Sequence, residues 1–238
     1  MNSVLCTICM RGGSQGLKNK NFKLINGKPL MYYTIKQAVD SKIFDKIMVS
    51  TDSKKILKYA KSYGVDAWFI RPKKFSNNGS SKVAAIKHAF KESEKFYGKK
   101  FEFIVDLDAT SPLRNVKDII GAYRNFIKKK ADILITGSQS RHNPYFNIVE
   151  VVNGRVQIAK ELKKNIFRRQ DAPKTFDMNA SIYIWNRKTL LKSFNSAVDK
   201  KTKSKIIFYE MPRERSVDID DKFDFKLVEF LLKRKKSK

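Results

Sequence analysis

Val4-Leu5-Cys6-Thr7-Ile8-Cys9-Met10 is a nearly unbroken apolar run that passes directly into Arg11-Gly12-Gly13-Ser14-Gln15-Gly16-Leu17-Lys18-Asn19-Lys20-Asn21. A short run that is apolar at alternate positions on both sides suits a strand buried on both faces, as in a parallel sheet. The glycines that follow let backbone N–H groups approach an anion, and Arg11, Lys18 and Lys20 add positive charge. The Gly and Lys spacings match neither the dinucleotide fingerprint nor the Walker A loop. The stretch therefore reads as a phosphate site or as a plain strand-to-helix turn. Its place at the carboxyl end of the first strand, where open α/β sheets bind ligands, favours the phosphate site. Cys6 and Cys9 form a C-x-x-C inside the strand rather than at a helix start, with no second pair to complete a zinc site, so both read as structural.

Outward from this stretch the chain alternates. Helices are expected from about Leu30 to Asp40, Ser53 to Tyr63, Lys82 to Tyr97 and Asn115 to Lys129. Strands are expected at Lys46–Thr51, Ala67–Ile70, Phe103–Leu107 and Ile133–Thr136. Strands separated by helices of about 10–15 residues predict right-handed βαβ units and a parallel sheet. Near residue 140 the helical period stops, and Val149 to Val156 reads as a hairpin turning on Asn153-Gly154. Strands return at Ile182–Trp185 and Ile206–Tyr209, and a helix closes from Phe223 to Lys233. The expectation is one α/β domain over residues 1–238, Rossmann-like with a mostly parallel sheet flanked by helices, carrying an antiparallel insertion at 140–180.

The composition excludes several classes. At 42% hydrophobic and 12% aromatic the 238 residues can bury a sizeable core, which rules out a mostly disordered chain. No run reaches the roughly 18 apolar residues of a membrane span, and the N-terminus does not read as a signal peptide. Two cysteines exclude a disulfide framework and point to a reducing, cytoplasmic setting. The net charge of +28 invites a nucleic-acid reading, but only twelve of the 51 basic residues are arginine and the lysines are spread along the chain. That pattern suits a solvated surface better than a base-reading face, so no nucleic-acid partner is expected. Among acidic residues, Ser216-Val217-Asp218-Ile219-Asp220 alternates, so that an extended segment would project Asp218 and Asp220 from one face. Such a pair suits Mg²⁺, a hard ion that bridges protein and phosphates, or caps the following helix, or does both. Asp108, at the end of an expected strand, adds a carboxylate on the same sheet edge.

The order of Arg11-Gly12-Gly13-Ser14-Gln15-Gly16, Asn26-Gly27-Lys28-Pro29-Leu30, Val49-Ser50-Thr51-Asp52, Arg71-Pro72, Thr110-Ser111-Pro112-Leu113-Arg114, Arg169-Gln170 and Ser216-Val217-Asp218-Ile219-Asp220 resembles that of CMP-sialic acid synthetases, the acylneuraminate cytidylyltransferases. The resemblance covers essentially the whole chain. It implies a nucleotidyltransferase joining CTP to a 2-keto sugar acid, with Mg²⁺ and release of pyrophosphate. It places Arg11, Ser14, Lys20 and Asn21 on the CTP phosphates and Arg71 and Ser81 on the cytidine. Asp108 and Ser111 fall at the mouth of the sugar site, Arg169 and Tyr183 reach in from the insertion, and Asp218 and Asp220 are the implied metal ligands. The anomeric hydroxyl would attack the α-phosphorus, so that catalysis rests on positioning and charge neutralisation by Arg11, Lys20, Asp218 and Asp220. The identity of the base and the number of metal ions stay open.

This chain departs from the family around the sugar rather than around CTP. Gln15 stands where a loop lysine is common, Leu107-Asp108-Ala109-Thr110 replaces Leu-Gln-Pro-Thr, and Phe146 takes the place of a lysine found in some sugar sites. Together with Asp177-Met178-Asn179-Ala180-Ser181-Ile182-Tyr183, these changes look more like the branch acting on legionaminic acid, a diamino relative of sialic acid. The other readings are a synthetase for CMP-N-acetylneuraminic acid or CMP-ketodeoxyoctonate and, in a different class, a basic nucleic-acid-binding α/β protein. The 140–180 segment has too little apolar content to fold alone. Its Tyr145, Phe146, Ile148, Phe167 and Phe176 are expected to cover a second subunit in a homodimer, as the resemblance also implies, with Arg169 acting in trans.

Overall fold

The computed structural model describes residues 3–13, 16–77, 79–163, 166–192, 196–198 and 203–236, so Ser14 of the glycine-rich loop lies outside the described residues. The chain opens with β1 (Val4–Cys9), a small hairpin of β2 (Leu24–Ile25) and β3 (Lys28–Pro29), α1 (Leu30–Ser41), β4 (Lys46–Ser50) and α2 (Lys54–Ser62). It continues through α3 (Lys82–Tyr97), β5 (Phe103–Leu107), α4 (Val116–Lys128) and β6 (Ile133–Gln139). An excursion carries β7 (Val149–Val152) and β8 (Arg155–Ile158), after which come β9 (Phe176–Asn186), α5 (Arg187–Lys192), β10 (Ile206–Glu210) and α6 (Lys222–Lys236).

Six strands form the main sheet in the order β10-β6-β9-β5-β1-β4. β1 pairs in parallel with β4 and β5, and β10 pairs in parallel with β6. Alternation divides the apolar residues between two layers. Val4, Cys6 and Ile8 face the layer built with α1, α2 and α4, whereas Leu5 and Ile104 face Phe90 of α3 and Leu190 of α5. Helices thus cover both faces, which is why β1 reads as a continuous apolar run. Local signals set the helix ends. Ser53 and Ser81 cap α2 and α3 by accepting N–H bonds, and Asn115 and Asp118 form a reciprocal capping box at α4.

Three expectations need correction. Residues 67–70 do not form a laddered strand: the segment touches β4 through two isolated parallel bridges, Met48 with Asp66 and Thr51 with Ile70. Its aromatic content serves packing instead, with Trp68 stacked on Phe96 at 4.2 Å and set edge-on to Tyr97. The strand expected at Ile182–Trp185 begins at Phe176 and lies antiparallel between β5 and β6. The part of the insertion that leaves the sheet therefore ends before residue 176, and Phe176 pairs with Gln139 while its ring sits 4.7 Å from Phe208. Third, Tyr183 belongs to this central strand, opposite Asp106 and Ile135, and not to the insertion. The hairpin itself is as expected, with Asn153 and Gly154 both at positive φ (51° and 76°), the backbone a two-residue turn of this hand requires.

One buried cation ties the layers together. Arg114, 1% exposed, donates to Asp108 O, to Ser181 O at 2.6 Å, to Thr34 Oγ1 at 2.8 Å and to Gln37 Oε1 at 3.1 Å. Burial lowers its pKa to about 10, which leaves it charged at neutral pH. Arg114→Met keeps the bulk but strands these acceptors, so it should destabilise the fold by about 3 kcal/mol or more. A melting temperature lowered by roughly 6–12 °C is the expected readout, and an unchanged melting curve would remove Arg114 from this role.

Candidate active site

A cleft of about 520 Å³ opens at the carboxyl ends of β1, β4 and β5. Parallel strands all leave their last residues on one edge, so the loops after them converge there. Arg11, Lys20 and Asn21 from the first loop, Arg71 and Ser81 from the segment before α3, and Asp108 and Asp220 all line it. These seven include most of the residues singled out in the sequence.

The glycine-rich loop is held from two sides. Gly12 N donates to Asp52 Oδ1 at 2.7 Å, and the buried Asn21 donates to Arg11 O at 3.0 Å. Lys20 Nζ donates to Ile219 O at 2.6 Å and lies 3.6 Å from Asp220 Oδ1. Gly16 packs so closely that a Cβ there would fall 2.3 Å from Asp220 O. The opposite wall is the N-terminus of α3, a 16-residue helix whose orphan N–H groups and dipole favour an anion. Ser81 Oγ accepts from Ala84 N at 3.1 Å, which leaves its hydroxyl proton to donate. Arg71 is nearly buried, and its guanidinium donates to Met10 O, Ser50 O and Ser76 Oγ, so it braces the wall as well as facing the cleft.

Beneath α3 lies an ion cluster that sequence reasoning missed in part. Lys82 Nζ is 2.7 Å from Asp108 Oδ2 and 3.2 Å from Asp106 Oδ2. Asp106 is fully buried, with Thr7 Oγ1 donating to its Oδ1 at 2.8 Å. Burial pushes the Asp106 carboxyl up, against the pull of Lys82. For Asp108 burial acts the same way, but Lys82 and the Thr110 hydrogen bonds outweigh it and hold the carboxyl at about 2. Asp108 is therefore a fixed carboxylate and too acidic to take a proton from an alcohol. Burial would discharge Lys82, but Asp108 and Asp106 overcome it and raise its pKa. A lysine directly after a helix cap, with an Asp-x-Asp strand end elsewhere, was the only signal available. Cys9 lines the same cleft while Cys6 is buried beneath it, and burial pushes both thiols up, away from reactivity.

Other expected site residues are elsewhere. Ser111 is fully buried and donates to Asp218, whose second oxygen accepts from Ala180 N at 2.9 Å. Burial raises the Asp218 carboxyl above its ordinary range in spite of these bonds. Asp218 and Asp220 thus do not share one face of the cleft. The chain turns toward α6 between them, with Ile219 buried and Asp220 N bonded to Asp224 Oδ2, so that only Asp220 lines the cavity, its side chain 84% exposed. Tyr183 is stacked on Trp185 and lines a separate cavity of about 120 Å³. Arg169 donates to Ser140 O at 2.8 Å beside a third cavity, of about 340 Å³, so it does not reach the cleft of its own chain.

Residues 5–235 match the family model described as cytidylyltransferase. The chain belongs to that family. Among its relatives, CMP-N,N'-diacetyllegionaminic acid synthase of Campylobacter jejuni is 43% identical over 235 residues, covering 99% of this chain and 97% of that protein. Post-translational flagellin modification protein B of Campylobacter coli matches to the same extent. The N-acylneuraminate cytidylyltransferase of Escherichia coli is 31% identical over 94% of this chain and 51% of its own length. Among solved structures, CMP:2-keto-3-deoxy-manno-octonic acid synthetase complexed with CTP aligns with a TM-score of 0.70 at 14% identity, over 98% of this chain and all of that one, which establishes a common fold.

For a cytidylyltransferase the tight contact of Gly16 with the 219–220 segment has a consequence for CTP. Gly16→Ala must push the loop off Asp220 O and break the Lys20–Ile219 bond. CTP binding measured by calorimetry should weaken by about tenfold or more, the loss of roughly one charge-assisted contact, with little change in melting temperature. Unchanged CTP affinity would mean that the loop does not grip the nucleotide.

Proposed function

We propose that this chain transfers the cytidylyl group of CTP to a nonulosonic sugar acid of the legionaminic type, releasing pyrophosphate. The reading rests on one observation above all: a cleft that gathers Arg11, Lys20 and a helix N-terminus with a fixed carboxylate, Asp108. A polyanionic phosphate chain suits the cations and the helix end, and the hydroxyl- or amide-bearing body of a sugar suits the carboxylate. The relative at 43% identity over nearly both whole chains narrows the sugar. The two free cysteines suit work in a reducing compartment, the cytoplasm. Among the described residues no helix is long and apolar enough to cross a membrane.

In this mechanism the anomeric hydroxyl attacks the α-phosphorus and pyrophosphate leaves in line. Arg11 and Lys20 stabilise charge on the leaving group, Asn21 fixes the loop that carries them, and Ser81 with the first turn of α3 orients the nucleotide. No protein nucleophile is needed. Asp220 offers Mg²⁺ a hard, exposed carboxylate, whereas both oxygens of Asp218 already accept hydrogen bonds. Asp220 would therefore be the residue that holds the ion, and Asp218 would brace the segment. When bound, Mg²⁺ neutralises phosphate charge and acidifies the attacking hydroxyl. Pyrophosphate release should be fastest with a diacetamido nonulosonic acid, slower with N-acetylneuraminic acid and slower still with ketodeoxyoctonate. Release with none of the three would overturn the reading. Asp220→Asn should raise the half-saturating Mg²⁺ concentration by about tenfold or more, since one charged ligand is worth roughly 1.4 kcal/mol or more. An unmoved Mg²⁺ dependence would free Asp220 from this role.

The working unit is a homodimer. Every residue of β7 and β8 is exposed, Val151 and Val156 at 69%, and Phe167 is 84% exposed. A lone two-stranded ribbon with so much apolar surface is marginal in water and suits burial against a second copy. A two-fold arrangement would carry each Arg169 to the partner's cleft. Mixing the variants Arg169→Ala and Asp220→Asn under subunit exchange, at a Mg²⁺ concentration that saturates wild type but not Asp220→Asn, should then raise activity above that of either variant alone, because a mixed dimer regains one intact site. A monomer by light scattering, or no recovery despite proven exchange, would refute the shared site.

A further inference from the structure

Lys82, the first residue of α3, has three oxygens around its ammonium: Asp108 Oδ2 at 2.7 Å, Ala180 O at 3.2 Å and Asp106 Oδ2 at 3.2 Å. Two of its three N–H groups donate to Asp108 Oδ2 and Ala180 O, and Asp106 Oδ2 pairs with it as a counter-charge without a hydrogen bond. The Tyr183 ring, 4.8 Å away, holds it from another side. Although Lys82 lines the cleft, it is not built as a hook for a ligand anion.

Its effect passes through Asp108. A carboxylate has about four acceptor positions. Asp108 Oδ1 accepts from Thr110 N at 2.9 Å and Thr110 Oγ1 at 3.0 Å, and Oδ2 accepts from Lys82. Among the described residues, one position on Oδ2 has no protein donor, and Asp108 lines the cleft. What sits there must donate an N–H or O–H, which ionised phosphate and carboxylate groups do not. Without Lys82 only Oδ1 would stay fixed, by Thr110, while Oδ2 would lose its donor and the unneutralised charge would repel two anionic substrates.

We propose that Lys82 is a positioning residue of the sugar subsite, holding Asp108 so that its one open acceptor position takes an amide or hydroxyl hydrogen of the sugar acid. This deepens the proposed function and rests on it.

Asp106 lies buried behind Lys82, so removing the lysine alone would leave a lone buried carboxylate. The test therefore compares Asp106→Asn with Asp106→Asn/Lys82→Met, and wild type with Asp108→Asn, which leaves the lysine in place. Steady-state pyrophosphate release gives KM for the sugar acid, KM for CTP and the Mg²⁺ dependence. Loss of one hydrogen bond to a charged group predicts a rise of about tenfold or more in the sugar KM for both changes, with CTP KM within about twofold. Once Asp108→Asn is present, Lys82→Met should add little, because the lysine acts through Asp108. A sugar KM unmoved by Asp108→Asn overturns the proposal, as does a shift in CTP KM or in half-saturating Mg²⁺ instead. If the double variant does not fold, Asp108→Asn alone decides. A wild type inactive with every sugar acid removes the underlying reading, whereas an active wild type with an unmoved sugar KM removes only the role given to Lys82 and Asp108.

Discussion

The Arg114 guanidinium sits where α1, the turn after β5 and β9 meet, and a series of hydrogen bonds runs from it to the far wall of the cleft. It fixes Asp108 O, just past the end of β5, and Ser181 O, midway along the neighbouring β9. From the same turn, Thr110 O accepts from Ile219 N, and Ile219 O in turn accepts from Lys20 Nζ. Ser111 reaches Asp218 in the same turn, and Asn21 joins Lys20's loop back to Arg11 O. The cation-bearing loop and the carboxylate-bearing strand end are therefore referenced to one buried group. Only a planar fork with five donors can satisfy so many acceptors from one point, which lysine cannot do. Fixed geometry of this kind is what in-line transfer without a covalent intermediate requires.

The elements most legible in the sequence are those with local signals at their ends. α3 begins after the Ser81 cap and stops before Gly98, which adopts a positive φ of 61°. β1 and β5 are short apolar runs bounded by turn residues. β9 was only half legible, because an alternating run carries no information about strand direction, and its first residues, Phe176 to Met178, are exposed like a loop. The site divides in the same way. Arg11, Lys20, Asn21, Arg71, Ser81, Asp108 and Asp220 converge because each follows a parallel strand or precedes a helix on one sheet edge. Lys82 could not stand out among so many lysines, since its meaning comes from two carboxylates that only tertiary structure brings within 3.2 Å. Ser111 and Asp218 each looked available for a ligand and instead satisfy one another.

The net charge of +28 takes no direct part in this site. Among the described residues, the cleft's cations are Arg11, Lys20, Arg71 and Lys82, and contacts within the protein already hold them. Lys20 meets Ile219 O and Asp220, Arg71 braces Met10 O and Ser50 O, and Lys82 is held by Asp106 and Asp108. A basic surface raises the local concentration of anionic substrates, but it does not place a charge inside the cleft.

If the second substrate is a sugar acid, its carboxylate needs a cation, and among the described residues the cation beside Asp108, Lys82, is already paired with two carboxylates. Either the sugar carboxylate turns toward Arg11 and the phosphates, where it would compete with CTP, or a cation arrives from outside the chain's own cleft. Arg169 stands on an excursion that buries little of its own apolar surface, and it lines other cavities rather than this cleft. An unpaired need for positive charge in one place and an arginine on an uncovered arm in another are complementary under a two-fold axis. A dimer that covered Val151, Val156 and Phe167 would then also complete the sugar end of each site, and assembly and substrate recognition would become one requirement on the sequence between β6 and β9.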